Sequence, residues 1–279
     1  MLYKFNSKLQ ARISRSSGFR APQAFDTDMH IAFSGGGVAL TAIDPQLQPE
    51  YSTSYSFSAD YNVPRQKYIY GFTVAAFYTQ IRNTFILEEQ PAEPNSTNTI
   101  LFRTNGSNAT VKGITLETRF NFNYKVEAEF GFTFQESQYE QAVTWSAEIP
   151  GIKQFLRTPS SYGYFASTFR LTRDLKYSLS GVFTGPMNIA HFAGAPGVDQ
   201  DELIQSNSFL ELNTKLEYAL PLHIKQFQMT ASGGIQNLLD AFQNDFDSGP
   251  YRDSNYIYGP GRPRTLFFSL KIEMNGRSK

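Results

Sequence analysis

The segment FDTDMH places Asp26, Asp28 and His30 at i, i+2 and i+4. In an extended chain these three side chains share a side, and two carboxylates with one imidazole form a donor set for a divalent cation. The same residues also suit an ordinary loop hydrogen-bonding cluster, so neither a metal nor a cofactor is expected. His191 precedes Asp199 and Asp201, and an imidazole near carboxylates can activate water. His223 lies at a short turn, away from that group. SGGGVA (34–39) is glycine-rich but lacks the lysine and the strand-to-helix setting of a phosphate-binding loop. Asn95, Asn105 and Asn108 match glycosylation acceptors and read equally well as loop asparagines.

These groups sit on a chain with balanced charge. Lysine plus arginine and aspartate plus glutamate both number 25, which argues against a nucleic-acid partner. There is no cysteine, while phenylalanine (25) and tyrosine (16) far outnumber the single tryptophan. Mean hydropathy is −0.37 and no apolar run is long enough for a membrane helix, but neither fact excludes strands that alternate. The first residues, MLYKFNSKLQARIS, show no basic segment followed by an apolar one, so no export signal is read there.

The positioning elements are strands. In YSTSYSFSADY (51–61) the odd positions are Tyr, Thr, Tyr, Phe, Ala and Tyr, and the even ones are four serines and an aspartate. KVEAEFGFTF puts Val126, Ala128, Phe130, Phe132 and Phe134 on one face. FLELNTKLEYAL, TLFFSLKIEM and DLKYSLSGVF repeat the pattern. Period two throughout predicts an all-β chain. Ten antiparallel strands are expected at 4–18, 48–62, 67–88, 98–121, 125–139, 154–171, 174–190, 207–220, 224–240 and 256–274. Short turns at 62–67, 121–125, 171–174 and 220–223 alternate with long loops near 20–47, 89–98, 140–153, 190–207 and 244–255. Long strands with this asymmetry suit an up-and-down transmembrane barrel segment, aromatic face to lipid and serines to the lumen. A soluble sandwich with its aromatics inside is the other architecture the alternation allows.

Four stretches carry a family resemblance: SSGFRAPQAFD (16–26), LQPEYS (47–52), GGIQNLLDAF (233–242) and YIYGPGRPRTLFFSLKIEM (256–274). Their order and spacing resemble the C-terminal part of a TonB-dependent outer-membrane receptor, of a Bacteroidetes-like siderophore or cobalamin type more than the SusC type. That resemblance implies a 22-stranded barrel filled by a plug domain. It implies uptake of a scarce ligand such as an iron–siderophore or cobalamin, with outer-membrane lipid outside and TonB acting through the plug. Residues 1–274 would be an incomplete barrel, with plug and earlier strands lying before Met1, and 275–279 a tail. Alone, such a chain is expected to be inactive. A self-contained ten-stranded barrel, such as an omptin-like protease or a small porin, is the alternative; no enzymatic activity is expected.

Several motif residues have physical readings. Gly18 would turn the chain at the outer end of its strand, Arg20 would reach Glu50, and Pro22 would stop pairing. Pro49 would open the next strand. Asn237 and Asp240 suit an irregular strand end, Pro260 a strand entry, and Arg264 a pair with a loop carboxylate. Phe25, Asp26, Asp28 and His30 are candidate ligand contacts on the first long loop, as are Phe33 and Phe192.

Overall fold

Each short turn has a local cause. Between β9 (Ala109–Phe122) and β10 (Val126–Val143), Asn123 and Tyr124 take φ of 49° and 55°. Two consecutive left-handed residues make a tight reversal whose twist matches the flanking strands, and the Asn121 carboxamide accepts the Tyr124 N–H at 3.0 Å. Between β12 (Ser161–Arg170) and β13 (Leu175–Thr184), the Thr172 hydroxyl accepts the amides of Asp174 and Leu175 at 3.2 and 3.1 Å. The computed structural model describes residues 1–22, 32–34, 37–90, 99–146, 148–195, 197–221 and 227–274.

These turns link a long antiparallel meander. Its spatial order is β1 (Leu2–Lys4), β2 (Leu9–Arg20), β5 (Glu50–Pro64), β6 (Tyr68–Arg82), β9, β10, β12, β13, β16 (Phe209–Leu220), β17 (Phe227–Gln236) and β18 (Thr265–Met274). β11 (Ile152–Gln154) pairs with the upper end of β10. β1 and β18 stand at the two ends and do not pair with each other. Two smaller sheets lie at the long-loop end. β3 (Ala32–Ser34), β4 (Gly37–Ile43), β8 (Thr99–Asn105) and β7 (Phe85–Gln90) form one, in which β4 runs parallel to β8. β14 (Asn188–His191) and β15 (Glu202–Gln205) form the other.

The ten expected strands are all present, but several bounds move. The span 67–88 breaks at Asn83, whose φ of 56° steps the β7–β8 hairpin off the wall; the return strand resumes only at Ala109. The ninth strand stops at Gln236 because Asn237 is left-handed, and the tenth starts at Thr265 rather than 256. The seventh ends at Thr184, since 188–191 leaves to pair with β15. The fifth runs on to Val143, and the short strand β1 precedes the first.

Register puts the side chains on two unlike faces. Tyr51, Tyr55, Phe57 and Tyr61 of β5 stay exposed, as do Phe130 and Phe134 of β10 and Leu266 and Phe268 of β18, the last two at 76%. Ser52, Ser54, Ser58 and Asp60, on the opposite face, are half-buried. The polar face is hydrogen-bonded across strands: Ser14 to Ser56 at 2.6 Å, Ser54 to Thr79 at 2.8 Å and Thr115 to Thr133 at 2.9 Å. Its charges pair as well. Arg119 sits 2.6 Å from Asp60, which also accepts the Thr73 hydroxyl, and Arg170 sits 3.0 Å from Glu127. A sheet this wide would normally bury one face against another layer. Among the described residues nothing covers the aromatic face, and the buried apolar cluster lies at the loop end.

Glycines in the wall are filled by the rings paired with them. Gly113 lies under Phe77, Gly131 under Tyr164 and Gly234 under Phe267 on the polar face; Gly163 lies under Phe132 and Gly181 under Phe165 on the aromatic face. Each pair is a direct cross-strand partner, so the ring covers backbone that a side chain would otherwise shield. Gly131→Val therefore forces the Tyr164 ring away, at a cost of about 1–3 kcal/mol. Denaturant unfolding in detergent should show it, with partial recovery on adding Tyr164→Ala. Gly261→Val, where nothing lies within 4 Å of an added Cβ, should change little.

Candidate functional site

The long-loop end is built from three joints. At the first, β2 ends at Arg20 opposite Glu50, where β5 begins. The Arg20 guanidinium lies 3.7 Å from the Glu50 carboxylate and over the Phe85 ring at 5.1 Å. Glu50 also accepts the Phe85 amide at 3.1 Å, and Asn83 donates to the Pro49 carbonyl at 3.4 Å. Asn105 closes the joint: its side chain bonds both the amide and the carbonyl of Gln48 and the carbonyl of Asn83. The Arg20–Glu50 pair is half solvated and worth little alone. Its geometric effect is larger, because Glu50 ties the start of β5 to the start of β7.

The second joint closes the loop from β17 to β18. Asn237 is 2% exposed and left-handed. Its amide donates to Asn213, its side chain donates to the carbonyls of Ala241 and Arg262 at 3.1 and 2.8 Å, and its carboxamide oxygen accepts the Ala241 amide at 2.9 Å. Asp240, with φ of 55°, accepts the Arg264 amide at 2.8 Å, while the Arg264 guanidinium donates to the Leu238 carbonyl at 3.0 Å. The two ends of a 28-residue excursion (237–264) are thus pinned together by side chains.

The third joint packs that excursion against the β14–β15 hairpin. Met187, Ile189 and Tyr256 are buried together, with Ile204 and Tyr258 against them. The His191 ring stacks on Tyr256 at 3.6 Å. Its Nε2 is 3.0 Å from Asp247 and its Nδ1 3.7 Å from Glu202. Asp253, 1% exposed, accepts the amides of Phe192 and Asn255 at 3.0 and 2.8 Å. Burial pushes its carboxyl above the usual range, and those two hydrogen bonds only partly offset it. Tyr256 and Tyr258 both donate to Asp245, at 3.0 and 2.8 Å. Burial, then the bond to Asp245, pushes the Tyr258 hydroxyl up to about 12. The loop 144–160 joins through Arg157, which donates to the Ile257 carbonyl at 2.6 Å.

Set against the sequence reading, the motifs gather as joints at one end of the wall. Gly18 makes no turn: it lies inside β2, paired with Ser52, and an added Cβ there would sit 3.2 Å from the Ser52 hydroxyl. β2 ends two residues before Pro22, which is exposed. Pro260 lies in the loop, five residues before β18, not at its entry. The Arg264 guanidinium meets a carbonyl, and its backbone amide meets the carboxylate. His191 does not gather Asp199 and Asp201; the Asp201 carboxylate takes the Ala193 amide at 2.6 Å. Both imidazole nitrogens face other carboxylates, and the ring is buried, so no water-activating pair is assembled there. Phe25, Asp26, Asp28 and His30 lie outside the described residues, as does His223. Gln243, which sequence reasoning passed over, ties Tyr256 and Tyr258 through both ends of its carboxamide. No short-range pattern singles it out.

Two outcomes follow. Asn237→Ala and Asn237→Gly should both loosen 237–264 by roughly 1–3 kcal/mol, read as faster amide exchange at Leu238 and Ala241. If only the alanine variant loosens it, backbone strain is responsible instead of the side-chain bonds. At high pH, the Tyr258 hydroxyl should ionise at about 12, seen as the absorbance difference between wild type and Tyr258→Phe. Its pKa is raised on folding, so its contribution is complete below 10.0 and lost as pH rises through about 12. Asp245→Ala should move that titration down.

The family described as TonB dependent receptor-like, beta-barrel, matches residues 1–238. No curated protein matches the chain. Among solved structures, the ferric-catecholate import receptor Fiu of E. coli K12 aligns at 17% identity and a TM-score of 0.62, over 98% of this chain and 34% of that one. The ferripyoverdine receptor of the outer membrane of Pseudomonas aeruginosa aligns at 14% identity and 0.65, over 96% and 31%. The FrpB iron transporter of Neisseria meningitidis aligns at 12% and 0.60, over 98% and 38%. The chain thus spans about a third of the length of these structures, and at such identities the likeness is one of fold. With a family match over most of its length and an open meander of barrel strands, the chain belongs to the TonB-dependent receptor-like β-barrel family.

Proposed function

We propose that this chain is the C-terminal part of the barrel wall of a TonB-dependent outer-membrane receptor that takes up an iron–siderophore, cobalamin or a similarly scarce ligand. The observation that carries the reading is the sheet's two faces: an uncovered aromatic face and a hydrogen-bonded, charged face on one continuous meander. Exposed rings in water would be an aggregation liability; against lipid they are solvated. The polar face then lines the lumen and meets a plug domain, through which TonB acts. Among the described residues the outer edges of β1 and β18 have no partner strand, which supports a wall completed by further strands, since hydrocarbon does not tolerate open strand edges. The joints at the long-loop end would hold the ligand-facing loops, including the first loop with Phe25, Asp26, Asp28 and His30. The siderophores and iron carried by the aligned receptors support a metal-chelate ligand over a glycan.

The test is uptake in cells. Deleting the gene that encodes the chain should lower accumulation of one ferric siderophore, or of cobalamin, by about tenfold or more, and a protonophore should produce the same loss in the parent. Unchanged accumulation across both ligand classes contradicts the proposal. Restoration of uptake by the 279-residue chain alone favours a self-contained barrel instead.

A further inference from the structure

Four short turns, at 5–8, 65–67, 123–125 and 171–174, share one construction. Each ends on a residue that directly precedes a rising strand: Lys8 before β2, Lys67 before β6, Lys125 before β10 and Asp174 before β13. The carbonyl of that residue accepts an amide of the next hairpin. Lys8 takes Asn62 and Lys67 takes Asn123, both at 2.7 Å; Lys125 takes Arg170 and Asp174 takes Ala219, both at 2.8 Å. The turns are thereby stitched into one rim. Its charge is one-sided in a chain whose total charge is zero: Lys8, Arg65, Lys67, Lys125 and Arg173 stand against the single carboxylate of Asp174. All six side chains are exposed, and none has an ion-pair partner among the described residues.

We infer that this rim docks on the cell wall, its lysines meeting the free carboxylates of the wall's stem peptides. The inference rests on the membrane placement proposed above, which turns the short-turn end toward the periplasm. Charge selects an anionic partner. Spacing selects a linear one. The rising strands are every second strand of the wall, so at about 4.8 Å per strand the lysines recur about every 10 Å along the rim. A glycan chain that bears one peptide per repeating unit presents its carboxylates in such a row. Parity separates this partner from lipid. Leu9, Tyr68 and Val126, which follow the three lysines, have the outward parity of Tyr61. The lysines before them have the opposite parity and stand below the last lipid-facing row. One exposed ion pair is weak, but a row of them on a polymer binds as a multivalent set. The stitched backbone holds that row in place before binding, so little order has to be imposed on contact.

The test pellets protein-free peptidoglycan sacculi with the detergent-solubilised receptor that contains this chain, at low salt. Wild type, Lys67→Gln/Lys125→Gln and Lys112→Gln/Lys153→Gln are compared; the last pair lies toward the long-loop end and serves as the control. Lys67→Gln/Lys125→Gln should lower the sedimented protein by about fivefold, as expected for two exposed ion pairs removed. The control should match wild type, and amidating the sacculus carboxylates should reproduce the loss for wild type. Equal sedimentation of wild type and Lys67→Gln/Lys125→Gln overturns the inference. So does capture of wild type by phosphatidylglycerol vesicles but not by sacculi, which would mark a lipid-binding rim. If wild type fails to pellet while ligand uptake persists, this inference falls and the proposed function stands. If wild type washes out of the urea-treated membrane fraction, both fall.

Discussion

The rest of the structure depends on one constraint: backbone hydrogen bonds must be satisfied between strands while the middle rows of one face of the sheet stay apolar. A meander of long strands meets the first demand along its shared ladders and, among the described residues, leaves two outer edges, β1 and β18. The second demand fixes parity on every strand, because a one-residue slip would exchange the faces. Tyr55, Phe57, Phe130, Phe134 and Phe268 all fall on one side in consequence. The interior then has to be polar, and its serines, threonines and paired charges form a cross-strand network. No core of the usual kind is needed beneath the wall.

Among the described residues, packing of the usual kind gathers where strands give way to loops. Met187, Ile189 and Tyr256 make a small buried cluster, and the polar groups around it are tied by carboxylates and carboxamides. Asn237 and Glu50 act at the points where the chain leaves or enters the wall. Each spends its side chain on backbone amides or carbonyls that the ladder no longer reaches. The described parts of the loops around these residues are thereby held to the end of the wall.

Much of this was legible in the sequence, for a physical reason. Period two is a local property, so the ten wall strands, their faces and the short turns could be read from neighbours alone. What escaped was set by distant partners or by single backbone residues. Nothing in the run from 67 to 88 announces that Asn83 turns left-handed, nor that β8 will pair in parallel with β4. His191 finds Asp247, 56 residues away, in preference to the nearer Asp199 and Asp201. Gly18 resembled a turn residue because glycine often is one; within β2 it serves as a small partner for Ser52. Arg15 follows Leu9, Ala11 and Ile13 on the outward parity of its strand, and only the register shows that it stands beside Tyr55.

The central claim is that the aromatic face meets lipid and the serine face meets water. Spin labels placed one at a time along β5, from Ser54 to Tyr61, in the membrane-embedded protein test it directly. Accessibility to dissolved oxygen should peak at Tyr55, Phe57, Ala59 and Tyr61. Accessibility to a water-soluble relaxant should peak at Ser54, Ser56, Ser58 and Asp60. The inverse alternation, or no alternation at all, would contradict the account.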